Sequence, residues 1–237
     1  MGESILSEED VLLMLDHLLK ENSRFNWDTF YSDKDRSIPF FVNYPDENLV
    51  NYFKQGILYP GKVLDLGCGP GRNALYLADK GCFVDAVDSS EEAINWGTER
   101  AKDRNIPVNF IHRNIFQLKV DEGTYDIVYD SGCFHHIPPH RRMSYLHLLK
   151  KALKPNGYFG LTCFIPGGEL GGAEISDYEV YRLWSLKGGL GFTEEQLRSI
   201  FNDFEVIEMR RMTDVADDTV FGVPDLMTAL FRLKKSS

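Results

Sequence analysis

The stretch Val63-Leu64-Asp65-Leu66-Gly67-Cys68-Gly69-Pro70-Gly71-Arg72-Asn73 decides how this chain is read. An aliphatic run short enough for a buried strand meets three glycines, and a helical pattern follows. Glycine lets the backbone turn tightly and lets a ligand approach without a Cβ in the way. A helix that begins at such a bend aims unpaired N–H groups and a partial positive charge at it, which suits a carboxylate or a phosphate. The spacing is G-x-G-x-G, whereas the dinucleotide fingerprint requires G-x-G-x-x-G, and an acid, Asp65, sits inside the strand. Both departures disfavour a nicotinamide-dependent oxidoreductase, which is kept as an alternative reading.

Downstream, short β-branched or aliphatic runs alternate with helical segments of about a dozen residues, the pattern of βαβ units in a parallel sheet. Strands are expected near 62–66, 83–87, 108–112, 125–129 and 158–164, and helices over about 71–80, 90–104 and 139–153. Pro138-Pro139 marks the start of the last helix, and Pro155-Asn156-Gly157 follows its end. Residues 166–192 form a glycine-rich insertion around a short helix at 177–184, placed where α/β proteins carry lids. Thr193 with Gln196 makes a capping box for one more helix, and runs near 204–210 and 226–233 complete the sheet as a hairpin. Upstream, Ser7 with Asp10 caps an amphipathic helix carrying Val11, Leu15, Leu18 and Leu19, and Asp46-Glu47-Asn48 leads a helical stretch that Gly56 closes.

Length and composition fit this reading. A chain of 237 residues, 43% hydrophobic and 26% charged, builds an ordinary α/β core. The expected organisation is one domain over 1–237: a helical, aromatic-rich cap (1–60), a core (61–165), the glycine-rich lid (166–192) and the rest of the sheet (193–237). Thirty-six acidic against twenty-six basic residues leave a net charge of −10, which repels phosphate polyanions and argues against nucleic acid as a partner. No apolar run approaches the roughly 18 residues of a membrane span, and no basic-plus-apolar leader opens the chain, so a cytoplasmic location is expected. Cys68, Cys82, Cys133 and Cys163 are scattered without a Cys-x-x-Cys pair and read as reduced packing residues.

The second strand ends in Asp88, seventeen residues past Gly71, where a carboxylate can accept both hydroxyls of a ribose. From Val63 to Asp88 the sequence resembles motif I and the following acid of the class I S-adenosylmethionine-dependent methyltransferases. The resemblance implies an α/β, Rossmann-like, seven-stranded and mostly parallel sheet whose last strand is antiparallel, with helices on both faces. S-adenosylmethionine, converted to S-adenosylhomocysteine, would lie across the C-terminal strand edges. It further implies that Asp65, Gly67 and Gly69 hold the methionine part, with Gly71 and Asn73 completing the motif. Asp88 would hold the ribose, Ser89 would lie beside the adenine, and Asn114 with Ile115 would meet the adenine where relatives mostly carry Asp. Asp130, after the fourth strand, would face the methionine moiety and the transferring methyl. The Gly71-Arg72-Asn73 ending, the aromatic N-terminal segment and Phe134-His135-His136-Ile137 look similar to thiopurine, halide and tellurite-type methyltransferases, which implies a small-molecule acceptor.

Asp130, His135 and His136 are the candidate proton acceptors for an amine or hydroxyl acceptor, while a thiolate or halide would need none. His135, His136, His140 and His147 crowd one region, but Pro138 and Pro139 break the helix that would align a metal-binding pair, so no metal is expected. Residues 25–53 hold nine aromatics. Their main role is packing of the cap, and Trp27, Phe30, Tyr31, Phe40, Phe41 and Tyr44, with Phe134, are candidates for the acceptor pocket, where ring faces attract a sulfonium and exclude water. A cofactor-binding module without turnover is the second alternative.

Overall fold

The computed structural model describes residues 4–23, 25–36, 38–215 and 219–234. Seven strands form one sheet in the order β3-β2-β1-β4-β5-β7-β6: β1 (Lys62–Leu66), β2 (Phe83–Asp88), β3 (Asn109–His112), β4 (Tyr125–Ser131), β5 (Leu153–Phe164), β6 (Phe204–Arg211) and β7 (Leu226–Leu233). Neighbours among β1 to β5 pair in parallel, and β7 runs antiparallel between β5 and β6. The expected seven-stranded, mostly parallel sheet is therefore present, with β7 as its antiparallel member.

Alternate residues of β1 serve opposite faces, as strand geometry requires. Leu64 and Leu66 pack with Tyr145, Leu148 and Leu149 of α6 (Arg142–Ala152) and Leu197 of α8 (Glu194–Ile200). Val63 packs with Leu49 and Tyr52 of α3 (Glu47–Lys54) and with Ala74 and Leu77 of α4 (Arg72–Asp79). The remaining helices are α1 (Glu8–Glu21), α2 (Trp27–Ser32), α5 (Glu91–Arg104) and α7 (Asp177–Leu183). Ser7 and Asp10 form the capping box expected of α1, yet none of that helix's residues is fully buried.

Two boundaries differ from the sequence reading. Pro139–Arg141 forms a 3-10 turn before α6, because the proline that starts a helical segment also removes a backbone donor. β5 begins at Leu153 rather than near 158: Leu153 pairs with Tyr125, and the register resumes only at Tyr158 opposite Ile127, with Asn156 left-handed between them. Among the described residues, no helix is long and apolar enough to cross a membrane.

Candidate cofactor and acceptor site

β1, β2, β4 and β5 all end at one cavity, whose wall includes Gly67, Asp88, Ser89, Ser131, Gly132, Thr162 and Phe164. This is the edge where parallel α/β sheets bind ligands. Asn114, Ile115 and Phe116 close it beyond β3, and Trp27, Tyr31 and Phe40 of the N-terminal cap cover it.

The bend after β1 is held by its own amides. Cys68 N–H donates to Val87 O (3.0 Å), Gly71 N–H to Cys68 O (3.0 Å) and Gly69 N–H to Asp88 Oδ2 (2.9 Å). A pyrophosphate would need those donors, so the bend is unsuited to a dinucleotide. Gly67 has a positive φ of 64°, and a Cβ there would stand 2.5 Å from Cys133 Cβ, so the backbone of the first turn passes directly against the β4 turn. Asp88 also accepts from Ser90 N–H at 2.8 Å. Each of its oxygens keeps a lone pair for a further donor, as two ribose hydroxyls would require. Burial nevertheless raises the Asp88 pKa against these hydrogen bonds.

Asp65 is fully buried behind this bend, its Oδ2 has no hydrogen-bond partner among the described residues, and burial, then the Asp130 charge, pushes its pKa up to about 8. Such an orphaned carboxyl is what an ammonium group would satisfy, although Asp65 itself, like Gly69 and Gly71, stands behind the cavity wall. With the ribose-ready Asp88 and the apolar Ile115, Phe116 and Pro138, the residues present fit S-adenosylmethionine.

Other expected site residues are placed differently. Asn73 is bonded to Asp46, accepting its N–H (2.9 Å) and donating to Oδ2 (3.1 Å). Gly69 and Gly71 lie behind the cavity wall, Gly71 against the Phe110 ring. Asp130 Oδ1 accepts from Cys133 N–H (2.9 Å) and Phe134 N–H (3.2 Å), and Oδ2 from Tyr145 OH (2.7 Å). It thus shapes the turn carrying His135 and His136 rather than lining the cavity, and burial raises its pKa to about 6. Phe134 is sealed in the core with Tyr145, Phe192 and Phe201. Phe41 and Tyr44 stand behind the wall: Phe41 packs on Trp96, and Tyr44 O accepts from Arg72. His140 is engaged by Asp16 and Tyr181.

His135 and His136 do line the cavity. Burial lowers both pKa values, that of His136 to about 4. His136 packs edge-on against Trp27, with ring centroids 4.9 Å apart.

Sequence reasoning missed Arg72, which lines the cavity from the first turn of α4. Its guanidinium pairs with Asp46 (2.6 Å), donates to Ser131 Oγ (2.9 Å) and lies 4.4 Å from the Phe221 ring centroid. A cation at a helix N-terminus opposes the macrodipole, and that misfit was the available signal. Phe221, from the connection between β6 and β7, and Leu226, the first residue of β7, are also in the wall and carry no local motif.

Residues 63–157 match the family model of a methyltransferase domain. That segment is a methyltransferase domain, and curated proteins named as methyltransferases are similar to the chain. An uncharacterized methyltransferase of Schizosaccharomyces pombe is 41% identical over 88 residues, covering 37% of this chain and 60% of that protein. The 2-heptyl-1-hydroxyquinolin-4(1H)-one methyltransferase of Mycobacteroides abscessus is 28% identical over 127 residues, covering 53% of this chain and 56% of that one. The chain thus spans little more than half the length of these curated relatives. Among solved structures, the 1,6-didemethyltoxoflavin-N1-methyltransferase of Burkholderia thailandensis, with its substrate and S-adenosylhomocysteine bound, superposes with a TM-score of 0.62 at 19% identity, covering 99% of this chain and 94% of that one. That likeness is one of fold. S-adenosylmethionine is the cofactor of the methyltransferase family.

Proposed function

We propose that this methyltransferase moves a methyl group from S-adenosylmethionine to a small, flat, largely apolar acceptor. The observation that carries the reading is a single cavity with a ribose-ready carboxylate, Asp88, on one wall and the rings of Tyr31, Phe40, Phe164 and Phe221 on others. The bound cofactor supplies an electrophilic methyl group on a sulfonium sulfur. Asp88, Asp65 and the Asn114–Ile115 segment bind and orient it. The aromatic wall excludes water and holds the acceptor in line with the methyl carbon, a positioning worth several kcal/mol of barrier. The names of the quinolone and toxoflavin methyltransferases support an acceptor of this kind, and the net charge of −10 supports a small molecule over nucleic acid.

A ligand that binds only the folded state raises the melting temperature. S-adenosylhomocysteine is expected to raise it and NAD to leave it unchanged, while Asp88→Ala weakens S-adenosylhomocysteine binding by about 1 to 3 kcal/mol in calorimetry. Stabilisation by NAD instead, or unchanged affinity in Asp88→Ala, would sink the cofactor assignment. Release of S-adenosylhomocysteine during a screen of phenols, hydroxylated heteroaromatics, thiols and amines tests turnover. Silence across all of them in a protein that binds the cofactor would make it a binding module instead.

A further inference from the structure

The two cavity histidines are not equivalent. His135 is clamped. Its ring lies 3.6 Å from the Phe164 ring and nearly parallel to it, at 16°, and its Nδ1 faces the Phe164 N–H at 3.2 Å. The glycine-rich insertion closes over the pair: Leu190 N–H donates to His135 O (2.8 Å) and Phe192 N–H to Phe164 O (2.9 Å). A Cβ on Gly189 would stand 3.1 Å from His135 Cδ2 and 2.9 Å from Phe164 Cε2, so the insertion's backbone lies directly on both rings. His136 has no such clamp, and its ring contacts are edge-on.

A backbone N–H can only donate, so Nδ1 must accept and carry no proton. The neutral ring then bears its hydrogen on Nε2, the nitrogen left without a partner among the described residues. His135 also lines the cavity. We infer that His135 is a fixed hydrogen-bond donor to the acceptor and not a base. Its sole basic site is spent on Phe164, and taking up a proton there would set two N–H groups against each other. Burial, and after it the neighbouring His136, which among the described residues is the titratable group acting on the ring, keep it neutral.

Further donors stand on neighbouring strand ends. Ser131 pairs in register with Thr162, two residues before Phe164, and Arg72 donates to the Ser131 hydroxyl, leaving its hydrogen free to donate in turn. The inference rests on the methyl-transfer reading above and narrows its substrate class: a planar acceptor that arrives deprotonated, with an oxygen, nitrogen or sulfur lone pair directed at these donors. In that step the acceptor's lone pair forms the bond to the methyl carbon while the carbon–sulfur bond breaks and its electrons stay on sulfur. The anion and the sulfonium neutralise each other, and no proton moves. A charge-neutralising step of this kind is favoured by a site from which water is excluded.

The test reads tautomer and rate separately. In histidine-labelled protein with S-adenosylhomocysteine added, nitrogen NMR is expected to show His135, assigned by its loss in His135→Gln, as the Nε2–H tautomer with no titration from pH 8 to pH 5. An Nδ1–H tautomer, or protonation within that range, overturns the inference whatever the acceptor proves to be. For rate, thiophenols and hydroxylated heteroaromatics of graded acidity serve as probes. A glutamine amide can place an N–H near the site of Nε2 but cannot act as a base, so His135→Gln is expected within about fivefold of the wild type. His135→Ala is expected to fall by about a hundredfold, the scale of losing one oriented donor. Equal loss in both variants, with the fold intact by circular dichroism, would make His135 a base or a packing residue and overturn the assignment. Failure of S-adenosylhomocysteine to bind would instead remove the cofactor reading and leave the tautomer result standing.

Discussion

Asp65 is the residue where burial and ligand chemistry meet most directly. Its pKa near 8 means that the free protein holds this carboxyl protonated at pH 7, whereas the unfolded chain does not. An acid with a raised folded-state pKa leaves stability intact below the unfolded value near 4. As pH then rises towards 8, the free protein loses on the order of 1 kcal/mol per unit from this group. An ammonium group bound beside it would draw the carboxyl into its charged form. Binding of S-adenosylhomocysteine at pH 7 is therefore expected to release a proton. Calorimetry in buffers of different ionisation enthalpy measures that release directly, and Asp65→Asn should abolish it. A binding enthalpy independent of buffer would show that Asp65 stays protonated beneath the ligand.

Between elements, the tie that matters most to the cavity wall is the one from α4 to the segment before α3. Asp46 is fully buried, where it accepts from Tyr129 OH (2.8 Å) and Asn73 and pairs with Arg72. Removing one partner of a buried pair leaves the other charge uncompensated, at about 3 to 5 kcal/mol. Arg72→Met is expected to destabilise the protein by that amount in denaturant unfolding, with Asp46→Asn added to it recovering part. A loss below about 1 kcal/mol would mean that Asp46 is adequately held by its other partners. At this scale the sequence was readable where the signal was local. The five parallel strands, the glycine bend, the Thr193 cap and the 204–233 hairpin all follow from periodicity or turn chemistry within one segment. Asp46 meeting Arg72, Phe221 entering the wall, and the sealing of Phe134 all depend on packing between segments far apart in sequence. No local pattern encodes which ring of an aromatic-rich stretch faces a ligand and which faces the core.

Across the whole molecule, α1 is joined to the rest differently from every helix that lies on the sheet. Leu19 touches the main core, but no α1 side chain is fully buried. Instead, Asp16 accepts from Arg141 Nε (2.8 Å) and Nη2 (2.6 Å) and faces His140 Nε2 (2.8 Å), while Glu9 pairs with Arg141 at 3.0 Å. His140 in turn meets the Tyr181 hydroxyl of α7, so one ionic cluster fastens α1 to the turn before α6 and to the insertion that covers His135. Burial of apolar surface is nearly indifferent to added salt at moderate concentration, whereas exposed ion pairs are screened, with a Debye length of about 3 Å at 1 M. Asp16 and Glu9 are the exposed partners of this cluster, at 36% and 59% side-chain exposure. α1 is therefore expected to open locally, its amides exchanging faster than those of β1 and β4. Addition of 1 M sodium chloride should accelerate exchange in α1 while leaving the central strands unchanged. Protection of α1 equal to that of the sheet, or exchange indifferent to salt, would show that Leu19 and its half-buried neighbours hold the helix and that the ionic cluster only orients it.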